Sequence, residues 1–168
     1  MTARWWGGAP TAEAAVDAHL LAAVDAALAG SGTTADLVLT HVDRSSPTAR
    51  TGVSLRLAAE PADADAARAE LAWALGGPVL VLPDGEDEQS APARTALREG
   101  VSGAAGRAVR FPGSAGVSGR VSVGDLLAGT AIDAVVGVGV QVGSVDEVIS
   151  AAELRPRIIR AITEPAAG

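Results

Sequence analysis

The chain holds 168 residues, 48 % of them apolar, and its 13 basic and 20 acidic side chains give a formal net charge of −7. That length fits one domain, the apolar content argues against global disorder, and the acidic balance disfavours a general binder of nucleic acid or anionic membrane. Cysteine is absent, which excludes disulfides, thiolate nucleophiles and cysteine metal sites.

Every basic residue is arginine, and alanine and glycine are abundant. This pattern reads as the imprint of a GC-rich genome, with a need for bidentate guanidinium forks as the physical alternative. Without lysine no Walker-type phosphate loop can be written. Three tryptophans and one phenylalanine supply the aromatic content, so the core rests on small side chains that must pack closely.

Residues 1–10, MTARWWGGAP, are short and punctuated by glycine and proline, and they read as an N-terminal arm. Its Trp5 and Trp6 either dock back as aromatic bulk or make an oligomer contact. The arm lacks the apolar core of a signal peptide, and no run of about 18 apolar residues spans a bilayer, so a soluble cytoplasmic protein is expected. From Thr11 the pattern turns helical: Val16, Leu20, Val24 and Leu28 recur every four residues, Glu13 lies in the first turn and Gly30 ends it. His19 borders this apolar face and is expected to cap the core edge.

ADLVLTHVDR, residues 35–44, reads as a strand buried on both sides, and GVSLRLAAE as a second, making 35–59 a hairpin around the turn-rich RSSPTARTG. A helix follows from Pro61, with Asp63 and Asp65 in its first turn and a stop at Gly76-Gly77. On it Leu71 and Leu75 share one face, while Trp73 points elsewhere, towards a second buried side or an interface. PVLVLP is the best candidate for a central strand, and PDGEDEQ after it is an acidic surface loop.

Ser90 and Pro92 then open a helix that runs past Leu97 and Val101. RAVRF is a further strand, on which strict alternation puts Arg107 and Arg110 on opposite faces. The glycine-rich stretches GVSGAAG and GSAGVSG reflect biased composition rather than a repeat. SVGD at 122–125 has a capping pattern ahead of a short helix, DAVVGVG supplies a strand, and SVDE at 144–147 caps a helix opening with VISAAEL. Residues 155–163 lean towards helix, with Ile158, Ile159 and Ile162 on one face, and 164–168 form a tail.

These elements predict a single α/β domain over 11–163: a mixed β-sheet with an N-terminal helix and hairpin, and helices packed on the sheet. An α+β sandwich is the alternative.

Few residues advertise chemistry. GVGVQVG, residues 137–143, departs from the dinucleotide-binding spacing and alternates like a strand, so it reads as close packing rather than a phosphate cradle. His41 and Asp43, at i and i+2 of one strand, share a face, which lets a carboxylate orient an imidazole as a general base requires, with Arg44 as an anion-holding helper. A metal site would need His19 and His41 to converge with Asp17, Asp36 or Asp43, and the acidic loop Asp84, Glu86, Asp87 and Glu88 lacks a calcium-loop spacing; no metal and no cofactor are expected. From Arg94 to Arg120 five arginines face one acid, Glu99, and Arg155, Arg157 and Arg160 follow. Arg107, Arg110 and Arg120 would form an anion site if they converged, whereas ion pairing with the surplus carboxylates is the plainer outcome.

No motif carries a family resemblance. Two readings remain: a non-catalytic binding or assembly protein, or a small cofactor-free enzyme using His41 and Asp43. The first would engage a second copy, a partner protein or an anionic small ligand, with Trp5, Trp6 and Trp73 as candidate interface residues; neither nucleic acid nor membrane is an expected partner.

Overall fold

The computed structural model describes residues 4–81, 87–103 and 105–132, together with the backbone of 148–150. Strand β1 (Trp5–Gly8) precedes helix α1 (Asp17–Leu28), the hairpin β2 (Ala35–Asp43) and β3 (Arg50–Leu57), and helix α2 (Ala64–Leu75). After these come β4 (Val79–Leu80), α3 (Ala91–Ser102), β5 (Arg107–Arg110), β6 (Arg120–Ser122), α4 (Val123–Gly129) and β7 (Val148–Ser150). Five strands form one sheet in the order β4-β1-β3-β2-β5, and β6 pairs with β7 in a second. Helices packed on a sheet, with an N-terminal helix and a hairpin, are what the sequence predicted. All described pairings are antiparallel, the arrangement of the α+β alternative.

The Trp5–Trp6 segment is a strand of this sheet rather than an arm. Trp6 lies opposite Leu55 and Trp5 opposite Arg56, and the two indoles enter different cores. The glycines that suggested an arm have a packing reason: a Cβ on Gly7 would overlap the Ala93 carbonyl oxygen, so glycine lets α3 settle on the sheet. Among the described residues of PVLVLP, Val79 and Leu80 form β4, at the end of the described strand order. The central strand is β3, whose alternation of apolar with small or polar residues concealed its burial on both faces.

One face of the sheet is covered by α1 and α2. Leu20, Val24 and Leu28 of α1 and Leu71 and Leu75 of α2 pack with Trp6, Val38, Val53, Leu55 and Leu57. Helix α1 begins later than its apolar period implied, because residues 12–15 form a turn; Val16 is the N-cap and is exposed. Helix α2 starts at Asp63, whose carboxylate accepts from the Ala66 amide at 3.0 Å, and stops at Gly76 in the left-handed conformation, φ 73°.

Helix α3 covers the other face, packing Leu97 with Trp5, Leu37, Leu39 and Phe111. The Ser122 hydroxyl caps α4 by accepting from the Asp125 amide at 3.1 Å, as its sequence pattern predicted. Val148–Ser150, expected to open a helix, are instead extended, with Ile149 opposite Val121. Here β-branched residues beside an available strand edge override a local capping pattern. Residues 137–143, 155–163 and 164–168, and with them Arg155, Arg157 and Arg160, lie outside the described residues, as do Asp84 and Glu86. Among the described residues no helix is long and apolar enough to cross a membrane.

Candidate functional site

Alternation along β2 aims Leu37 and Leu39 into the α3 core, and the same parity carries His41 and Asp43 under that helix. The shared face expected of this pair is present, yet their partners are others. His41 Nε2 lies 2.7 Å from Ser54 Oγ on β3, and Nδ1 lies 3.2 Å from Glu99 Oε2 on α3. A carboxylate can only accept from Nδ1–H, so Nε2 is the free acceptor and the Ser54 hydroxyl donates to it. Burial pushes the His41 pKa below its ordinary 6.5, against the hydrogen bond and the negative charge of Glu99, which pull it up. The ring is therefore neutral near pH 7.

Asp43 occupies a separate node. Its carboxylate accepts from Ser45 Oγ at 2.9 Å, Thr95 Oγ1 at 3.0 Å and Arg50 Nη2 at 3.3 Å. Burial alone would raise its pKa; the Ser45 and Thr95 hydrogen bonds, with the charge of Arg50, outweigh that and hold it below the usual value. Arg50, across the hairpin, pairs with Asp43, whereas Arg44, the expected anion-holding residue, is exposed beyond the end of β2.

Carboxylate, imidazole and hydroxyl stand here in the order that activates a serine nucleophile. Access to the hydroxyl is restricted. Ser54 is fully buried, and a Cβ on Gly100 would overlap its side chain, so the α3 backbone occupies the space an attacked carbonyl would need. Of the three groups Glu99 alone reaches solvent, at 28 % exposure. What the relay does is tie α3 to the sheet through a fully satisfied polar path. Sequence reasoning missed Ser54, Thr95 and Glu99. The one available signal was Glu99 itself, the sole acid in an arginine-rich run.

Two arginines of the cluster are committed to ion pairs. Arg110 forks onto Asp25 with both bonds at 2.7 Å, and Arg107 forks onto Asp17. Both carboxylates belong to α1, so the two arginines share a face. Alternation fails because the pairing steps from Leu39↔Ala108 to Val38↔Arg110, leaving Val109 as the extra residue of a β-bulge. The hydrogen bonds and charge of Arg110 hold the Asp25 carboxyl below its ordinary pKa, and both guanidinium pKa values are raised in turn. Arg120 is exposed on β6, in the other sheet. The forks that would have gripped an anion are thus occupied by the chain's own acids.

His19 and His41 lie on opposite sides of the sheet, so the metal site they would share is not assembled. Among the described residues no group of three or more His, Asp or Glu side chains is placed to hold a metal. His19 instead lines an open cleft of about 350 Å³ with Thr11, Glu13, Ala14, Ala23 and Ala74, and its Nδ1 lies 3.2 Å from the Glu13 carbonyl oxygen. Asp87 caps a short turn, accepting from the Gln89 amide at 3.1 Å.

The three tryptophans separate sharply. Trp5 and Trp6 are buried in the two cores, whereas Trp73 on α2 is 85 % exposed. Comparison with known protein families, curated proteins and solved structures finds no match to this chain.

Proposed function

We propose that the protein is a non-catalytic binding or assembly protein that engages a partner protein through the outward face of α2. The observation that carries this reading is Trp73, the most exposed large apolar side chain described. An indole leaves a large apolar surface in water, and tryptophan is enriched among the residues that dominate binding energy at interfaces. The two other candidate interface residues are consumed by the fold, and the forks of Arg107 and Arg110 are filled, which favours a protein partner over an anionic small ligand.

The test is the native size of the tagged protein at its natural level, compared with Trp73→Ala. Wild type is expected in a larger assembly and the variant as a monomer of unchanged stability. A wild type that migrates as a monomer, or an assembly indifferent to Trp73→Ala, overturns the reading.

A second reading, a cofactor-free enzyme, is favoured by the alignment of Glu99, His41 and Ser54. It requires Ser54 to react with a fluorophosphonate in the folded protein. An unlabelled Ser54 removes it.

A further inference from the structure

Helical periodicity puts Ala66, Ala69 and Trp73, at i, i+3 and i+7, on one stripe of α2, opposite the buried Ala67, Leu71 and Leu75. All three stripe residues are exposed. Side chains on a helix lean towards its N-terminus, so the indole belongs over the turn bearing Ala69 and Ala66, where small residues leave its ring face open. Glu70 flanks the stripe on one side and Asp65 on the other, and Glu60 and Asp63 continue the negative rim past the helix start; all four are exposed. The one cation of α2, Arg68, is paired with Asp65.

We infer that the partner surface is a cationic amphipathic helix of another protein, with its apolar side on Ala66, Ala69 and Trp73 and its arginines or lysines against Glu70 and Asp65. An aromatic face beside a carboxylate is a favourable seat for a guanidinium or ammonium group, which gains a cation–π contact and an ion pair together. A second copy fits less well. In a two-fold contact each patch meets itself, which sets carboxylates against carboxylates in a chain already at net charge −7.

This inference rests on the α2 face being the interface, and its test separates the two. The probe is a synthetic amphipathic helix of leucine, alanine and arginine, with a counterpart carrying glutamate for arginine. The readout is Trp73 fluorescence, with Trp73→Phe as the background from the buried Trp5 and Trp6. The arginine peptide is expected to shift the Trp73 emission and the glutamate peptide to leave it unchanged. Affinity should fall at least about tenfold in Trp73→Ala and about fivefold in the double variant Asp65→Asn/Glu70→Gln, with added salt weakening it further. The inference is overturned if Trp73 ignores the arginine peptide, if the glutamate peptide binds equally, or if the double variant binds as wild type does. Sedimentation showing self-association that Trp73→Ala abolishes also overturns it, yet leaves the α2 interface standing. Loss of the interface itself would show in the native-size measurement whatever the peptides do.

Discussion

The two faces of the central sheet are built on different principles. Beneath α1 and α2 the clustered buried side chains are apolar, mostly leucine and valine around Trp6, and cohesion comes from bulk. Beneath α3 the sheet presents Gly7, Gly52, Ser54, His41 and Asp43, and the helix answers with Ala93, Ala96, Gly100, Thr95 and Glu99. Directional bonds there supplement the apolar packing of Leu97 on Trp5, Leu37 and Leu39, and they reach because glycines let the backbones approach. A bulky face tolerates a lost methylene at graded cost, whereas a close-approach face fails when one atom is added.

The strongest way to break the contrast is therefore an added methyl group under α3. A Cβ on Gly52 would overlap the Pro92 carbonyl oxygen, a backbone atom that cannot rotate away. Gly52→Ala is expected to cost about 3 kcal/mol in urea unfolding. The same change at Gly30, where nothing lies nearby, should stay within about 0.5 kcal/mol. Equal effects at the two sites would mean that α3 can lift without penalty.

Next in size is the relay. Ser54→Ala leaves His41 Nε2 without a donor in a fully buried place, at a cost of about 2 kcal/mol. In His41→Leu/Ser54→Ala both ends of that bond are gone, so the double variant should cost less than the sum of the singles by at least about 0.5 kcal/mol. Additive losses would show that the bond is not a unit.

Acidity sharpens the same point. Because the folded pKa of His41 is lowered, the unfolded chain takes up the proton first. Its contribution is whole above the ordinary 6.5 and declines as pH falls from there towards the folded value. Asp43 is also depressed, and its contribution is lost only below its ordinary 3.8. Wild-type stability should thus fall in two stages on acidification, and His41→Leu should abolish the upper one. A variant that keeps the upper stage would place its origin elsewhere.

Much of this architecture was legible because it rests on local signals. The α2 face followed from Leu71 and Leu75, the shared face of His41 and Asp43 from strand parity, and the α4 cap from Ser122 with Asp125. What escaped detection depends on neighbours distant in sequence. Gly7 and Gly8 resemble arm residues until α3 and the edge strand are placed against them. Ser54 is an ordinary strand serine until Glu99, on another element, orients the imidazole between them. PVLVLP has the composition of a central strand, yet among its described residues β1 pairs with only two, and no local pattern encodes which strand ends the sheet order.

The bulge in β5 gives the gentlest test, because it moved two side chains without disturbing the sheet order. It sets Arg107 and Arg110 on the α1 side, where each meets a half-exposed aspartate. Pairs so open to water are screened, so Arg110→Ala should cost no more than about 1 kcal/mol, and less in high salt. The Asp25 titration is the more telling readout. Its carboxyl should return upward towards 3.8 once the guanidinium is gone, and the small part of acid stability due to this pair, present above that value, should vanish with it. Deleting Val109 tests the bulge itself: without the extra residue Arg107 and Arg110 stand two apart on a regular strand, so both should stay on the α1 side and both Asp17 and Asp25 should keep their partners. If one aspartate loses its guanidinium partner, Val109 is not the extra residue that aims the two arginines.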